Sequence, residues 1–154
     1  MTSQEESLIE LKVGEKAPDF TVTLYPSGSL KLAELRGKKN LILAFYPKDS
    51  TPGCSIEMCA FSESLASFES ADTLVLGVSC DSMESHERFS RKHNLKQALV
   101  SDTSGELGRL YGALREGHRS ANRKLFLIDK NGTIRHIHNG MPDIKELLEL
   151  LKLL

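Results

Sequence analysis

Two cysteines five residues apart, Cys54 and Cys59, stand where an apolar run gives way to a helical pattern. The segment Phe45-Tyr46-Pro47-Lys48-Asp49-Ser50-Thr51-Pro52-Gly53-Cys54 leads into that helix, with Thr51 at the capping position and Pro52 at the first helical one. Cys54 therefore falls in the first turn. There the unpaired backbone N–H groups and the positive end of the helix dipole favour a thiolate over the thiol, whose ordinary pKa is about 8.5. The chemistry this offers is a sulfur nucleophile made without a metal. The competing reading is a small cysteine that merely packs, but packing alone does not call for a capped, proline-led helix start. Cys59 lies about 140° around the helix from Cys54. It is expected beside Glu63, away from the Met58, Phe61 and Leu65 stripe, facing outward where a reductant can reach it. On an intact helix the two Cα atoms are more than roughly 7 Å apart, too far for a disulfide. A bond between them requires the first turns to unwind, so reduced and oxidised forms would differ in shape.

Other residues of chemical interest are weaker candidates. Cys80 follows an apolar run and precedes Asp81, and reads either as a further reactive or modifiable thiol or as a small cysteine at a strand end. Glu57 is an acid early in the helix, where the dipole alone would account for it. His136 and His138 alternate along one stretch, yet no cysteine or carboxylate is tied to them at a metal-site spacing, so they read as surface histidines. His86-Glu87 begins like a zinc-protease helix, but position 90 is Ser, which removes the second ligand. Cys54 and Cys59 cannot complete a four-ligand site, and Cys80 lacks the spacing to join them. No metal centre is expected.

The elements that must hold these residues follow from the apolar pattern. Residues 40–46 (NLILAFY) and 73–79 (TLVLGVS) are continuous apolar runs that suit strands buried on both faces. Between them, Cys54, Met58, Phe61, Leu65 and Phe68 mark one face of a helix over residues 52–69. A helix over 82–93, a short strand over 98–102 and a helix over 105–114 continue the alternation. Residues 124–129 and 133–139 flank Lys130-Asn131-Gly132, whose Asn-Gly suits a tight antiparallel hairpin. Pro142 and Asp143 start a final amphipathic helix carrying Ile144, Leu147, Leu148 and Leu151. The whole predicts one three-layer α/β domain over residues 1–154, with a mixed central sheet flanked by helices on both faces. Its ligand sites should lie beyond the carboxyl ends of the parallel strands, where residues 47–54 fall.

Composition narrows the setting. Twenty Lys and Arg stand against 21 Asp and Glu, so no basic field draws in nucleic acid or an anionic membrane. No apolar run reaches the roughly 18 residues of a membrane span. The first ten residues carry three acids and no Lys or Arg, unlike a signal or transit peptide. Three cysteines do not read as a secreted disulfide framework, so a reducing, cytoplasmic setting is expected.

The run FYPKDSTPGCSIEMCAF resembles the active-site signature of the peroxiredoxins, in particular the bacterioferritin comigratory protein or peroxiredoxin Q branch. The likeness extends from Ala17-Pro18-Asp19-Phe20, through Gly77-Val78-Ser79 and Ser101-Asp102, to Phe126-Leu127-Ile128-Asp129. It implies a thioredoxin-like fold, with Cys54 as the peroxidatic cysteine and Cys59 as the resolving one. Thr51 and Pro52 match the family's conserved loop and Arg123 an active-site arginine; this implies catalytic roles for Thr51, which can hydrogen-bond the thiolate or a peroxide oxygen, and for Arg123, with Pro52 and Gly53 against the substrate, and Glu57 resembles a family glutamate. Arg115 and Arg119 are alternatives to Arg123, because Leu125 stands where the family usually has Thr and the preceding stretch is short and basic. The stretch Arg135-His136-Ile137-His138 also departs from the branch. The implied reaction is reduction of hydrogen peroxide and organic hydroperoxides through a sulfenic acid and an intrachain disulfide, re-reduced by thioredoxin or a similar dithiol. No bound cofactor is required, and a monomer is expected because both thiols lie in one chain. A non-enzymatic redox sensor using the same disulfide is the alternative; a protein disulfide oxidoreductase lacks its C-x-x-C.

Overall fold

The computed structural model describes residues 10–115 and 117–154. Its elements run β1 (Thr21–Tyr25), β2 (Ser29–Lys31), a 3-10 turn (Leu32–Leu35), β3 (Asn40–Phe45), α1 (Pro52–Glu63), α2 (Leu65–Ser70), β4 (Thr73–Ser79) and α3 (Met83–His93). There follow β5 (Ala98–Ser101), α4 (Glu106–Leu110), β6 (Lys124–Ile128), β7 (Ile134–Asn139) and α5 (Ile144–Leu151). One seven-stranded sheet takes the order β2-β1-β5-β4-β3-β6-β7. β5, β4 and β3 are parallel, while β1 and β2 extend one side and β6 and β7 the other in antiparallel fashion. This is the expected thioredoxin-like α/β arrangement.

Alternation along the central strand builds two cores. Leu41, Leu43 and Phe45 of β3 point to one face, where they join the 3-10 turn's Leu32 and Leu35 and α4's Leu107. Ile42 and Ala44 point to the other, with Tyr46 just beyond, and meet Cys54, Met58 and Phe61 of α1, Phe68 of α2, Phe89 of α3, and Leu147 and Leu151 of α5. Every residue of β3 is buried, as a strand covered on both faces should be. The close packing of α1 on the sheet depends on Gly77 in β4. A Cβ there would come within 2.7 Å of the Met58 sulfur and 2.9 Å of a Leu99 methyl.

Three expectations change. The helix expected over 52–69 is two: Ser64 leaves helical geometry with φ −104° and ψ 9°, among serines that favour backbone competition over helix continuation. The helix expected over 105–114 closes after Leu110, and Gly112 at φ 71° turns the chain away. The β1–β2 hairpin, paired Thr21 to Lys31 through Thr23 to Ser29, was not expected; its strands are short, with exposed residues alternating with half-buried ones. The Asn-Gly hairpin forms as expected, with Gly132 at φ 82° and Asp129 Oδ1 accepting from the Asn131 and Thr133 N–H groups. Asp143 caps α5 by accepting from the N–H groups of Lys145 and Glu146.

Candidate active site

β3 and β4 run in parallel and end together, and the chain leaves β3 through Tyr46–Thr51 to enter α1. Cys54 sits in the first turn of α1, fully buried in the core beneath that helix. Arg123, one residue before β6, comes in from the neighbouring antiparallel strand. Its Nη2 donates to Cys54 Sγ at 3.4 Å and its Nη1 to Glu57 Oε1 at 2.5 Å. Gly53 makes this approach possible, since a Cβ there would stand 3.0 Å from Nη2. Arg115 and Arg119 are exposed and do not enter this contact, so of the three arginines Arg123 is the one brought to the sulfur.

Glu57 is one turn on from Gly53, 1% exposed at its side chain, and its partner Arg123 is 20% exposed. Burial pushes the Glu57 carboxyl up to about 7, although the Arg123 hydrogen bond and charge pull the other way. For Arg123, burial weakens the charged form, but the hydrogen bonds and charges of Cys54 and Glu57 outweigh it and hold the guanidinium above its ordinary pKa. A first-turn acid serving only the dipole is thus the wrong description of Glu57. It lies in the second turn, faces inward and grips the arginine. The guanidinium spans a sulfur and a carboxylate, a geometry a single ammonium cannot reproduce. What the arrangement can do is hold negative charge at Sγ, and at an oxygen beside it, in a site screened from water.

Thr51 departs from expectation. It takes the capping position, with φ −83° and ψ 152°, but its side chain makes no cap hydrogen bond. The hydroxyl donates instead to the Lys48 carbonyl at 2.9 Å, because the turn Lys48–Thr51 folds that oxygen under it. With its hydrogen so placed, Thr51 offers an incoming group only acceptor lone pairs. Pro52 is exposed at the helix tip and Gly53 half-buried beside Arg123. The sulfur itself is buried, and its Arg123 partner keeps 20% of its side chain exposed.

Cys59 is half-buried rather than fully outward. It lines a surface hollow of about 250 Å³ with Ser62, Glu63, His93, Asn94 and Lys96, because the end of α3 reaches across to α1. Cys54, Cys59 and Cys80 are all free thiols. Cys80 is half-buried at the end of β4, and burial, then the charges of Asp102 and Asp81, push its thiol pKa up, which disfavours a reactive thiolate there. His136 and His138 stack at 6.2 Å, and among the described residues no group of three or more His, Cys, Asp or Glu could hold a metal ion. His86 is fully buried and bonded to Asp49, so its helix is no zinc-binding one. The Asp49–His86 pair went unanticipated; the signal for it was that His86 keeps step with buried Phe89 on α3. No helix among the described residues is long and apolar enough to cross a membrane.

Known proteins share both the sequence and the overall fold. Residues 13–137 match the AhpC/TSA family. The chain is 37% identical over 155 residues to Peroxiredoxin Bcp of Bacillus subtilis (strain 168), covering 90% of this chain and 98% of that one. To the chloroplastic Peroxiredoxin Q of Gentiana triflora it is 35% identical over 144 residues, covering 92% of this chain and 65% of the relative. The crystal structure of a cysteine-to-serine mutant of PrxQ from Xylella fastidiosa matches with a TM-score of 0.85 at 30% identity, over 94% of this chain and 98% of that chain. Reduced 2-Cys peroxiredoxin of Plasmodium vivax matches with a TM-score of 0.85 at 28% identity, over 93% of this chain and 81% of the other.

Proposed function

We propose that in this chain, which belongs to the AhpC/TSA family in the branch of the Bcp and peroxiredoxin Q proteins and is a thiol-dependent peroxidase, Cys54 is the sulfur that attacks the hydroperoxide and Cys59 the thiol that resolves the product. The observation that carries this assignment is the Arg123 guanidinium 3.4 Å from Cys54 Sγ. A thiolate there is stabilised by a fixed cation, and the same cation stabilises the oxyanion that leaves.

The cycle balances on two sulfurs. Cys54 thiolate attacks one oxygen of the peroxide, the O–O bond breaks, and the departing alkoxide or hydroxide takes a proton to leave as alcohol or water. Thr51, with its own hydrogen committed to Lys48, accepts from the O–H of the incoming hydroperoxide and so selects its protonated form. Pro52 and Gly53 border the reacting atoms, Pro52 by excluding water and Gly53 by admitting Arg123. Cys54 is then a sulfenic acid. The Cys59 sulfur displaces its hydroxyl, releasing water and forming the disulfide once the first turns of α1 have unwound. A dithiol of thioredoxin type returns both thiols by exchange.

Hydrogen peroxide and organic hydroperoxides both present the O–O bond this chemistry requires. The whole chain works as one domain and as a monomer, since both thiols lie on one helix and the sheet runs through from residue 21 to 139. Three free thiols suit a reducing cytoplasm. Arg123 at the sulfur, which a shape-changing sensor does not need, weighs against a non-enzymatic role. Peptide mapping after one equivalent of peroxide tests the assignment: it should find Cys54 joined to Cys59 within one chain. A Cys54–Cys80 bond, or a bond between chains, would overturn the role given to Cys59.

A further inference from the structure

Beneath the turn that carries Thr51 lies a buried polar cluster that the peroxidase cycle does not consume. Asp49 of that turn is buried, and three donors converge on its carboxylate. The Tyr46 hydroxyl donates to Oδ1 at 2.6 Å, and the Ser85 hydroxyl and His86 Nδ1 meet Oδ2 at 2.8 and 2.7 Å. The Asp49 N–H donates to Asp81 Oδ2 at 2.8 Å, an oxygen that also accepts from the Ser79 hydroxyl at 2.6 Å. On the other side of the fully buried His86 ring, Nε2 lies 3.0 Å from the main-chain oxygen of Val100 in β5.

The hydrogen-bond partners and the charge of Asp49 together define the state of the ring. A carbonyl oxygen has no hydrogen to give, so Nε2 must carry one. A carboxylate that already accepts from two hydroxyls favours its anionic form, so Nδ1 must carry one as well. A neutral imidazole has only one N–H. Among the described residues no Lys or Arg forms an ion pair with Asp49, and a buried carboxylate needs a cation. The other acid at hand, Asp81, adds negative charge and strengthens that need. We propose that His86 is a buried imidazolium donating from both ring nitrogens, and that through Asp49 it is the positioning residue that holds the Lys48–Thr51 turn against the active site.

The backbone of the turn gives a second, independent reason. Ser50, between Asp49 and Thr51, has φ 64°, in the left-handed region that a serine adopts only when its surroundings impose it. The constraint on one side is Asp49, tied through its side chain to α3 and through its N–H to Asp81; on the other it is the Thr51 hydroxyl on Lys48. The His86 charge thus fixes the shape of the loop from which Thr51 meets substrate.

Long-range proton–nitrogen correlation spectra of the whole, reduced wild-type protein at neutral pH test the charge directly. Both His86 ring nitrogens should appear protonated. The signals are assigned by their loss in His86→Gln or, should that variant not fold, by contacts from the ring protons to Val100. A single bare ring nitrogen on His86 would overturn the proposal. The kinetic half rests on Cys54 being the attacking thiol, and stopped flow separates the two ideas. Asp49→Asn should slow sulfenic acid formation about tenfold while disulfide closure keeps its wild-type rate. Unchanged sulfenic acid formation would remove His86 and Asp49 from any positioning role while leaving Cys54 in place. Retained turnover in Cys54→Ser would overturn the peroxidase assignment and leave the imidazolium standing.

Discussion

Arg123 Nη2 meets Cys54 Sγ at 3.4 Å although the two residues lie 69 positions apart in the chain. The contact joins the tip of α1 to the strand beside β3, and the site exists only where these two parts of the fold meet. Its other hand, on Glu57 one turn further along the same helix, fixes the plane of the guanidinium.

Arg123→Ala should therefore lower the second-order rate of Cys54 oxidation by about 10²-fold, the usual scale for removing one preorganised donor from developing negative charge. Arg123→Lys should recover little of it, since one ammonium cannot face both Sγ and Glu57. Stopped-flow oxidation under pseudo-first-order peroxide decides this, and a lysine variant at the wild-type rate would show that only charge matters.

Glu57 makes stability depend on pH in a definite direction. Its carboxyl sits at about 7 in the folded chain against 4.5 for an unperturbed one, so the folded state holds the proton more tightly. The stabilising contribution is complete below pH 4.5 and is lost as pH rises through about 7. Urea unfolding of wild type and Glu57→Gln should diverge across that window by up to the order of 3 kcal/mol, wild type losing ground as pH rises. Parallel curves would mean that the carboxylate ionises freely in the fold.

Thr51→Val should slow sulfenic acid formation about fivefold, the worth of one hydrogen bond of about 1 kcal/mol, while Thr51→Ser keeps the acceptor oxygen and most of the rate. A valine variant as fast as wild type would leave Thr51 with no part in substrate binding.

Gly77→Ala tests the packing that holds α1 on the sheet. The new methyl carbon would meet the Met58 sulfur and Leu99 at less than 3 Å, and the cost should be about 1–3 kcal/mol by denaturant unfolding. An unchanged midpoint would show that α1 has room to shift.

Much of this was legible before any coordinates. β3 and β4 are apolar throughout, and the four-three spacing from Cys54 to Phe61 has one interpretation, so the strand, helix and first-turn cysteine followed from local pattern. The β1–β2 hairpin escaped notice although Thr21-Val22-Thr23-Leu24 alternates, because its strands are only five and three residues long and none of their residues is fully buried. By local pattern alone Glu57 and Arg123 look like ordinary surface charges 66 positions apart, and it was the family resemblance that marked them; the antiparallel pairing of β6 with β3 brings the arginine over α1. Thr51 was placed correctly along the chain, but the orientation of its hydroxyl depends on the fold of the Lys48–Thr51 turn, which no local propensity encodes. His86 and Asp49 are 37 residues apart, and their pairing arises from α3 crossing beneath the turn.

Peroxide consumption by wild type, Cys54→Ser and Cys59→Ser, with thioredoxin supplied, bears most directly on the assignment of the two sulfurs. Cys54→Ser should consume none, and Cys59→Ser should complete one turnover and stop at a sulfenic acid that dimedone traps. Continued turnover by Cys54→Ser would contradict it.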